Sequence, residues 1–158
     1  MRIFDIPNYG KIKIENVIFD VNGTIQFDGI VPTKLRKKIK KLKSYFNIFL
    51  ISADTRGNLD KVALKLGVNS IKISPSGLSE AELKNNELLK LGKEKTVAIG
   101  NGNNDHMMIK NAIIGIAILG KEGLASKTLM NSDLAFFNCI DAIHFLMDEK
   151  KVLATLRN

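Results

Sequence analysis

A single cysteine, Cys139, leaves no partner for an intrachain disulfide. Its neighbours Phe136, Phe137 and Ile140 mark it as a small buried apolar residue, not a reactive thiol. No apolar run approaches the ~20 residues that span a bilayer, and no basic stretch leading into an apolar run opens the chain. These absences predict a soluble, cytoplasmic protein with no membrane contact. There is also no internal repeat and no low-complexity linker, so residues 1–158 are expected to form a single domain. A chain of this size buries roughly 68–70% of its unfolded surface, enough for a core without staples.

What is present fits that class. Hydrophobic residues make up 45% and charged residues 25%, which is ordinary for a globular chain. The net charge of +8 is concentrated in Lys34, Arg36, Lys37, Lys38, Lys40, Lys41 and Lys43. Leu35, Ile39 and Leu42 run through that segment at helical spacing, so it reads as a helix with a solvated basic face. No aromatic residue interleaves with the lysines, and nucleic acid is therefore not the expected partner.

Short apolar runs alternate with helical patterns along the chain. Strands are predicted at Val17–Phe19, Asn47–Ile51, Val68–Ile73, Thr96–Ile99, Ile113–Leu119 and Leu134–Phe137. Helices are predicted at Lys34–Lys43, Leu59–Leu66, Ser79–Leu91, Asn104–Asn111, Leu124–Asn131 and Asp141–Leu156, the last in two pieces. Gly67 and Gly92 stand at C-cap positions, and Ser79 with Glu82 forms a capping box. Strands of continuous hydrophobicity imply burial on both faces. The expectation is an α/β protein: a three-layer, doubly wound, Rossmann-like sheet, mainly parallel. Ligands in such sheets bind beyond the carboxyl ends of the strands.

Three strand ends carry suggestive residues. The first runs into Asp20-Val21-Asn22-Gly23-Thr24, where a carboxylate at the tip of a buried strand needs a metal ion or hydrogen bonds to offset its desolvation. Taken alone, this stretch also fits a strand-ending Asx-turn. The second ends in Ser52-Ala53-Asp54-Thr55; Ser52 can bond a phosphate oxygen, while Asp54 or Thr55 can cap the next helix. The fourth enters Gly100-Asn101-Gly102-Asn103-Asn104-Asp105, more oxygen ligands than a turn requires and of the kind hard cations such as Mg²⁺ take. Asp28-Gly29, between Phe27 and Ile30, predicts a small flap hairpin beside the site. His106, Met107, Met108 and His144 read as helix residues with packing or surface roles.

In this order, the motifs resemble those of the haloacid dehalogenase-like superfamily, and more closely its soluble P-type-ATPase-like phosphatases. The tail Leu153-Ala154-Thr155-Leu156-Arg157 is similar to that group as well. The resemblance implies a phosphohydrolase that forms an aspartyl-phosphate at Asp20. It implies Mg²⁺ held by Asp20, the Asn22 carbonyl, Asn101 and Asp105. Gly23, Thr24, Ser52, Ala53 and Asn104 would surround the phosphate, and Lys84, with Lys90 as the weaker candidate, would supply the motif lysine. Asn22 occupies the place of the usual general acid, and losing that help costs ~10²–10⁴-fold, so slow turnover is expected. Asn101 stands where a metal-binding aspartate is usual, which implies weak Mg²⁺ affinity. No insertion is long enough for a cap domain, so an open site is expected. It would suit a phosphorylated small molecule or macromolecule, with a second copy of the chain as a conceivable lid. The alternative is a catalytically weakened phosphate- or nucleotide-binding regulator of the same fold.

Overall fold

The computed structural model describes residues 1–158. Its centre is a six-stranded parallel sheet in the spatial order β5-β4-β3-β6-β7-β8. The strands are β3 (Asn16–Asp20), β4 (Asn47–Ser52), β5 (Asn69–Lys72), β6 (Thr96–Gly100), β7 (Ile114–Ile118) and β8 (Leu134–Phe136). Every residue of β3, β6 and β7 is buried, as continuous apolar runs require, while the edge strands β5 and β8 are not.

The helices are α1 (Thr33–Leu42), α2 (Leu59–Leu66), α3 (Glu80–Leu91), α4 (His106–Asn111), α5 (Ser126–Met130), α6 (Cys139–Met147) and α7 (Glu149–Leu156). They form outer layers on a sheet whose alternate residues face opposite ways. Val17 and Phe19 enter a large core with Leu35, Ile39, Val62 and Ile143, whereas Ile18 joins a smaller one with Leu88, Met108 and Ile109. The three-layer, doubly wound α/β fold is thus the one the apolar pattern implies. No helix is long and apolar enough to cross a membrane.

Local chemistry sets the boundaries. The α3 capping box is formed: Glu82 N–H donates to Ser79 Oγ and Ser79 N–H to Glu82 Oε2. Helix α2 ends at Gly67 in the left-handed conformation, φ 63°. Leu35, Ile39 and Leu42 of α1 are buried, and Lys34, Lys37, Lys40 and Lys41 are exposed without ion pairs, so the basic segment is a solvated face. Cys139 is buried, and burial pushes its thiol pKa up.

Some elements differ from the sequence expectation. Two strands precede the one read as first: β1 (Arg2–Ile6) and β2 (Gly10–Ile14) pair as an antiparallel hairpin. It buries Phe4, Ile6, Ile12 and Ile14 in the large core and turns through Asn8 at φ 60°. Helix α4 starts later than expected because Asn103–Asp105 makes a 3₁₀ turn, with the Asp105 side chain folded back onto the amides of Asn101 and Gly102. Helix α5 also starts late, because Ala125 N–H donates to the Asn101 carbonyl instead of opening the helix at Leu124.

Candidate active site

The chain reverses its direction of travel across the sheet at β3, which is flanked by β4 and β6. That switch point is where a doubly wound sheet opens a crevice beyond its strand ends. In the register, Asp20 lies opposite Ile51, so Ser52 follows directly beside it. On the other side Phe19 lies opposite Ile99, which places Gly100 and Asn101 next to Asp20. Three motifs distant in sequence therefore meet because three strands end together.

The centre of the site is a buried triad. Lys84 Nζ donates to Asp20 Oδ1 and to Asp105 Oδ1, each at 2.6 Å. Lys84 is 1% exposed and Asp20 7%. Lys84 occupies the inward stripe of α3 with Ala81, Asn85 and Leu88, so the helix drives an ammonium into the core where an apolar residue would be usual. Desolvation pulls its pKa down, but the two carboxylates outweigh that and hold it raised. Asp105 Oδ2 accepts from the amides of Asn101 and Gly102, at 3.0 and 2.9 Å. A side chain at Gly100 would meet the Asp105 carboxyl at 2.5 Å, so only glycine allows this fold-back.

One ammonium for two carboxylates leaves the triad with a net negative charge. Burial, followed by the Asp105 charge, pushes the Asp20 pKa up to about 7 despite the opposing pull of Lys84. Asp20 Oδ2 has no side-chain partner. The donor set thus fits a hard divalent cation: two carboxylates with excess negative charge, backed by the Asn101 amide oxygen and the Asn22 carbonyl. No three acidic or histidine side chains converge closely enough to cage an ion by themselves, so water and substrate oxygens would complete its shell.

The remaining expected residues are placed as follows. Thr24 Oγ1 donates to Asn101 Oδ1 at 3.1 Å, tying the loop after β3 to the loop after β6. Ser52 is buried at the end of β4, its Oγ accepting from Asp54 N–H, and Ala53 lies half-buried beside it. Asn22 and Gly23 lie in the loop just beyond Asp20, where Gly23 N–H donates to the Gln26 carbonyl. Asn104 turns instead toward the start of α3, donating to Glu80 Oε2 at 2.6 Å. Lys90 sits on the surface, paired with Glu87. Asp54 caps α2 through the amides of Asn58 and Leu59 and pairs with Lys72. The expected flap is a hairpin with Phe27 and Ile30 bonded both ways around Asp28 and Gly29.

Two further neighbours carry no mark in the sequence. Glu122, in the turn after β7, brings its carboxylate to Gly23, and Gln26 is buried within the loop that follows Asp20. The glycines flanking Lys121-Glu122 mark a turn, but nothing in the sequence says which loop that turn leans on.

This fold is the haloacid dehalogenase-like fold. The structure aligns with 3-deoxy-D-manno-octulosonate 8-phosphate phosphatase from Moraxella catarrhalis, solved with magnesium ion, phosphate and KDO. That match has TM-score 0.67 and 18% identity over 89% of this chain and 90% of the other. The cobalt-bound deoxy-D-mannose-octulosonate 8-phosphate phosphatase of Haemophilus influenzae aligns at TM-score 0.69 and 14% identity, over 92% and 94%. A phospho-aspartyl intermediate analogue of phosphoserine phosphatase aligns at 0.64 and 17%, over 85% and 98%. No family model matches the sequence. The chain belongs to the same family as an uncharacterised protein of Methanocaldococcus jannaschii, to which it is 45% identical over 65 residues, 41% of this chain and 70% of that one.

Proposed function

We propose that the chain is a slow, Mg²⁺-dependent phosphohydrolase of phosphomonoesters that works through an aspartyl-phosphate at Asp20, as in the soluble P-type-ATPase-like group. The observation that carries this reading is the buried triad at the switch point, with Asp20 Oδ2 left without a side-chain partner. Asp20, Asn101, Asp105 and the Asn22 carbonyl would hold the cation, whose charge would keep Asp20 ionised and offset the charge of the phosphoryl oxygens.

Lys84 fixes the orientation of Asp20 by holding Oδ1, and Oδ2 attacks phosphorus as the ester P–O bond breaks. Ser52 Oγ–H, Lys84 and the Asn22 amide hold the phosphoryl oxygens where charge must be stabilised. The leaving oxygen takes its proton from solvent, because Asn22 has none to exchange. Water then attacks phosphorus, releasing phosphate and restoring the Asp20 carboxylate. Without a base at position 22 this second step is slow, and the phosphoenzyme accumulates. Only the loop at 21–32 separates β3 from α1, so the substrate meets an open site, whether a phosphorylated small molecule or a macromolecule.

Hydrolysis of p-nitrophenyl phosphate in Mg²⁺, lost in Asp20→Asn, tests the reading. Trapping by beryllofluoride reports the phosphoenzyme state directly. The amides at Asn22 and Asn101 favour a second reading, a phosphate- or nucleotide-binding regulator. Neither turnover nor beryllofluoride trapping in the native chain is the result that selects it. Asn22→Asp is expected to raise turnover by roughly 10²-fold or more, read from steady-state rates and from faster decay of the phosphoenzyme.

A further inference from the structure

The triad leaves few charges free to face a cation. Asp20 and Asp105 share one ammonium, and the second oxygen of Asp105 is taken up by two backbone amides. Asn101 adds an oxygen without charge. Glu122 stands nearby with an uncommitted carboxylate, making neither an ion pair nor a hydrogen bond.

The position of Glu122 is built, not incidental. Gly120–Gly123 closes a tight turn, with Gly123 N–H donating to the Gly120 carbonyl at 3.0 Å. The turn presses on the loop after Asp20: a Cβ at Gly120 would lie 2.8 Å from the Gly23 carbonyl oxygen. Asn101 Nδ2 comes within 2.6 Å of the point where a Gly23 Cβ would stand, Glu122 Oε2 within 2.9 Å and Asn101 Oδ1 within 3.0 Å. The carboxylate and the amide therefore converge over Gly23.

Asn101 also anchors the turn. Its Nδ2 donates to the Gly123 carbonyl at 3.2 Å, and its carbonyl accepts from Ala125 N–H at 2.9 Å. An aspartate at position 101 would have no side-chain N–H to give Gly123. The amide forgoes a charge at 101, and in return holds the turn that delivers the charge of Glu122.

We propose that Glu122 is an outer carboxylate of the cation site, acting through a water that the ion retains, and that Asn101 positions it. This rests on the cation reading of the proposed function. With Asp20 and Asp105 ionised, Glu122 brings the net charge around Lys84 to two negatives, matched to a divalent ion. Asp20, Asp105 and Glu122 do not form a group of three that could hold the ion by itself, so Glu122 would reach it through a water. Mg²⁺ commonly keeps several of its waters when bound.

The test measures Mg²⁺ by calorimetry and Mn²⁺ by electron paramagnetic resonance on the full chain, independently of turnover. Glu122→Gln, at an exposed position, should weaken binding roughly tenfold, while Lys121→Gln should not weaken it. Glu122→Asp keeps the charge with a shorter reach and should fall between native and Glu122→Gln. Adding Asn101→Asp to Glu122→Gln should recover affinity by putting a charge where the amide stood. If Asp20→Asn loses binding while Glu122→Gln binds as tightly as native, the role of Glu122 is overturned and the cation reading stands. If the native chain takes up neither ion, both are overturned.

Discussion

At the residue scale, two buried polar side chains obey opposite rules. Lys84 is tolerated because both carboxylates hold it; removing one partner of such a pair leaves a costly unpaired charge. Gln26 has no such compensation. It is 1% exposed, and neither Oε1 nor Nε2 has a hydrogen-bond partner. A buried amide left unpaired costs about 1–3 kcal/mol. Gln26→Met keeps the length of the side chain and removes the polar atoms, so it should raise the melting temperature. A gain of about 2–4 °C per kcal/mol is the scale for a chain of this size. An unchanged or lower melting temperature, read by calorimetry, would mean that an ordered water already satisfies the amide.

At the element scale, β1 and β2 show what the sequence reveals and what it conceals. Phe4 and Ile6 alternate with exposed residues, as do Ile12 and Ile14, around a Pro7–Gly10 turn. The period-2 signal is present but brief, and the hairpin lies outside the main sheet. Its hold on the fold is through packing, since Phe4 is fully buried in the large core. Phe4→Ala should therefore cost about 3–5 kcal/mol in denaturant titration, with the hairpin amides losing exchange protection first. A cost of less than about 1 kcal/mol, well under that range, would show the hairpin to be an ornament on the sheet. The strand ends are far more legible, because Asp20-Val21-Asn22-Gly23-Thr24 and Gly100–Asp105 are contiguous and each follows a wholly buried run. Lys84 leaves a fainter mark, a charge in the apolar stripe of α3. Glu122 leaves none, because its approach to Gly23 depends on how the turn after β7 packs across the sheet end.

At the scale of the whole molecule, the site sets how stability depends on pH. In the metal-free chain Asp20 titrates at about 7 when folded, against 3.8 for an aspartate in the unfolded chain. Between those values the folded state holds a proton that the unfolded chain has released, so stability must fall as pH rises through that window. Each pH unit between the two values is worth roughly 1.4 kcal/mol, so the drop is at most about 4 kcal/mol and is complete once Asp20 is ionised in the folded chain. Glu15, Asp54 and Glu82 have lowered pKa values, so their contribution is lost only on the acid side, as pH falls below the ordinary carboxylate range. The metal-free chain should consequently be most stable near pH 5 and weaker near pH 8, on either side of the Asp20 titration. Saturating Mg²⁺ selects the ionised form of Asp20 and should flatten that slope, adding about 2.7 kcal/mol at a hundredfold excess over Kd. Melting curves at those two pH values, with EDTA and with Mg²⁺, check both signs at once. A metal-free melting temperature that instead rises toward the alkaline side would mean that Lys84 keeps Asp20 ionised throughout, and the raised Asp20 titration would be refuted.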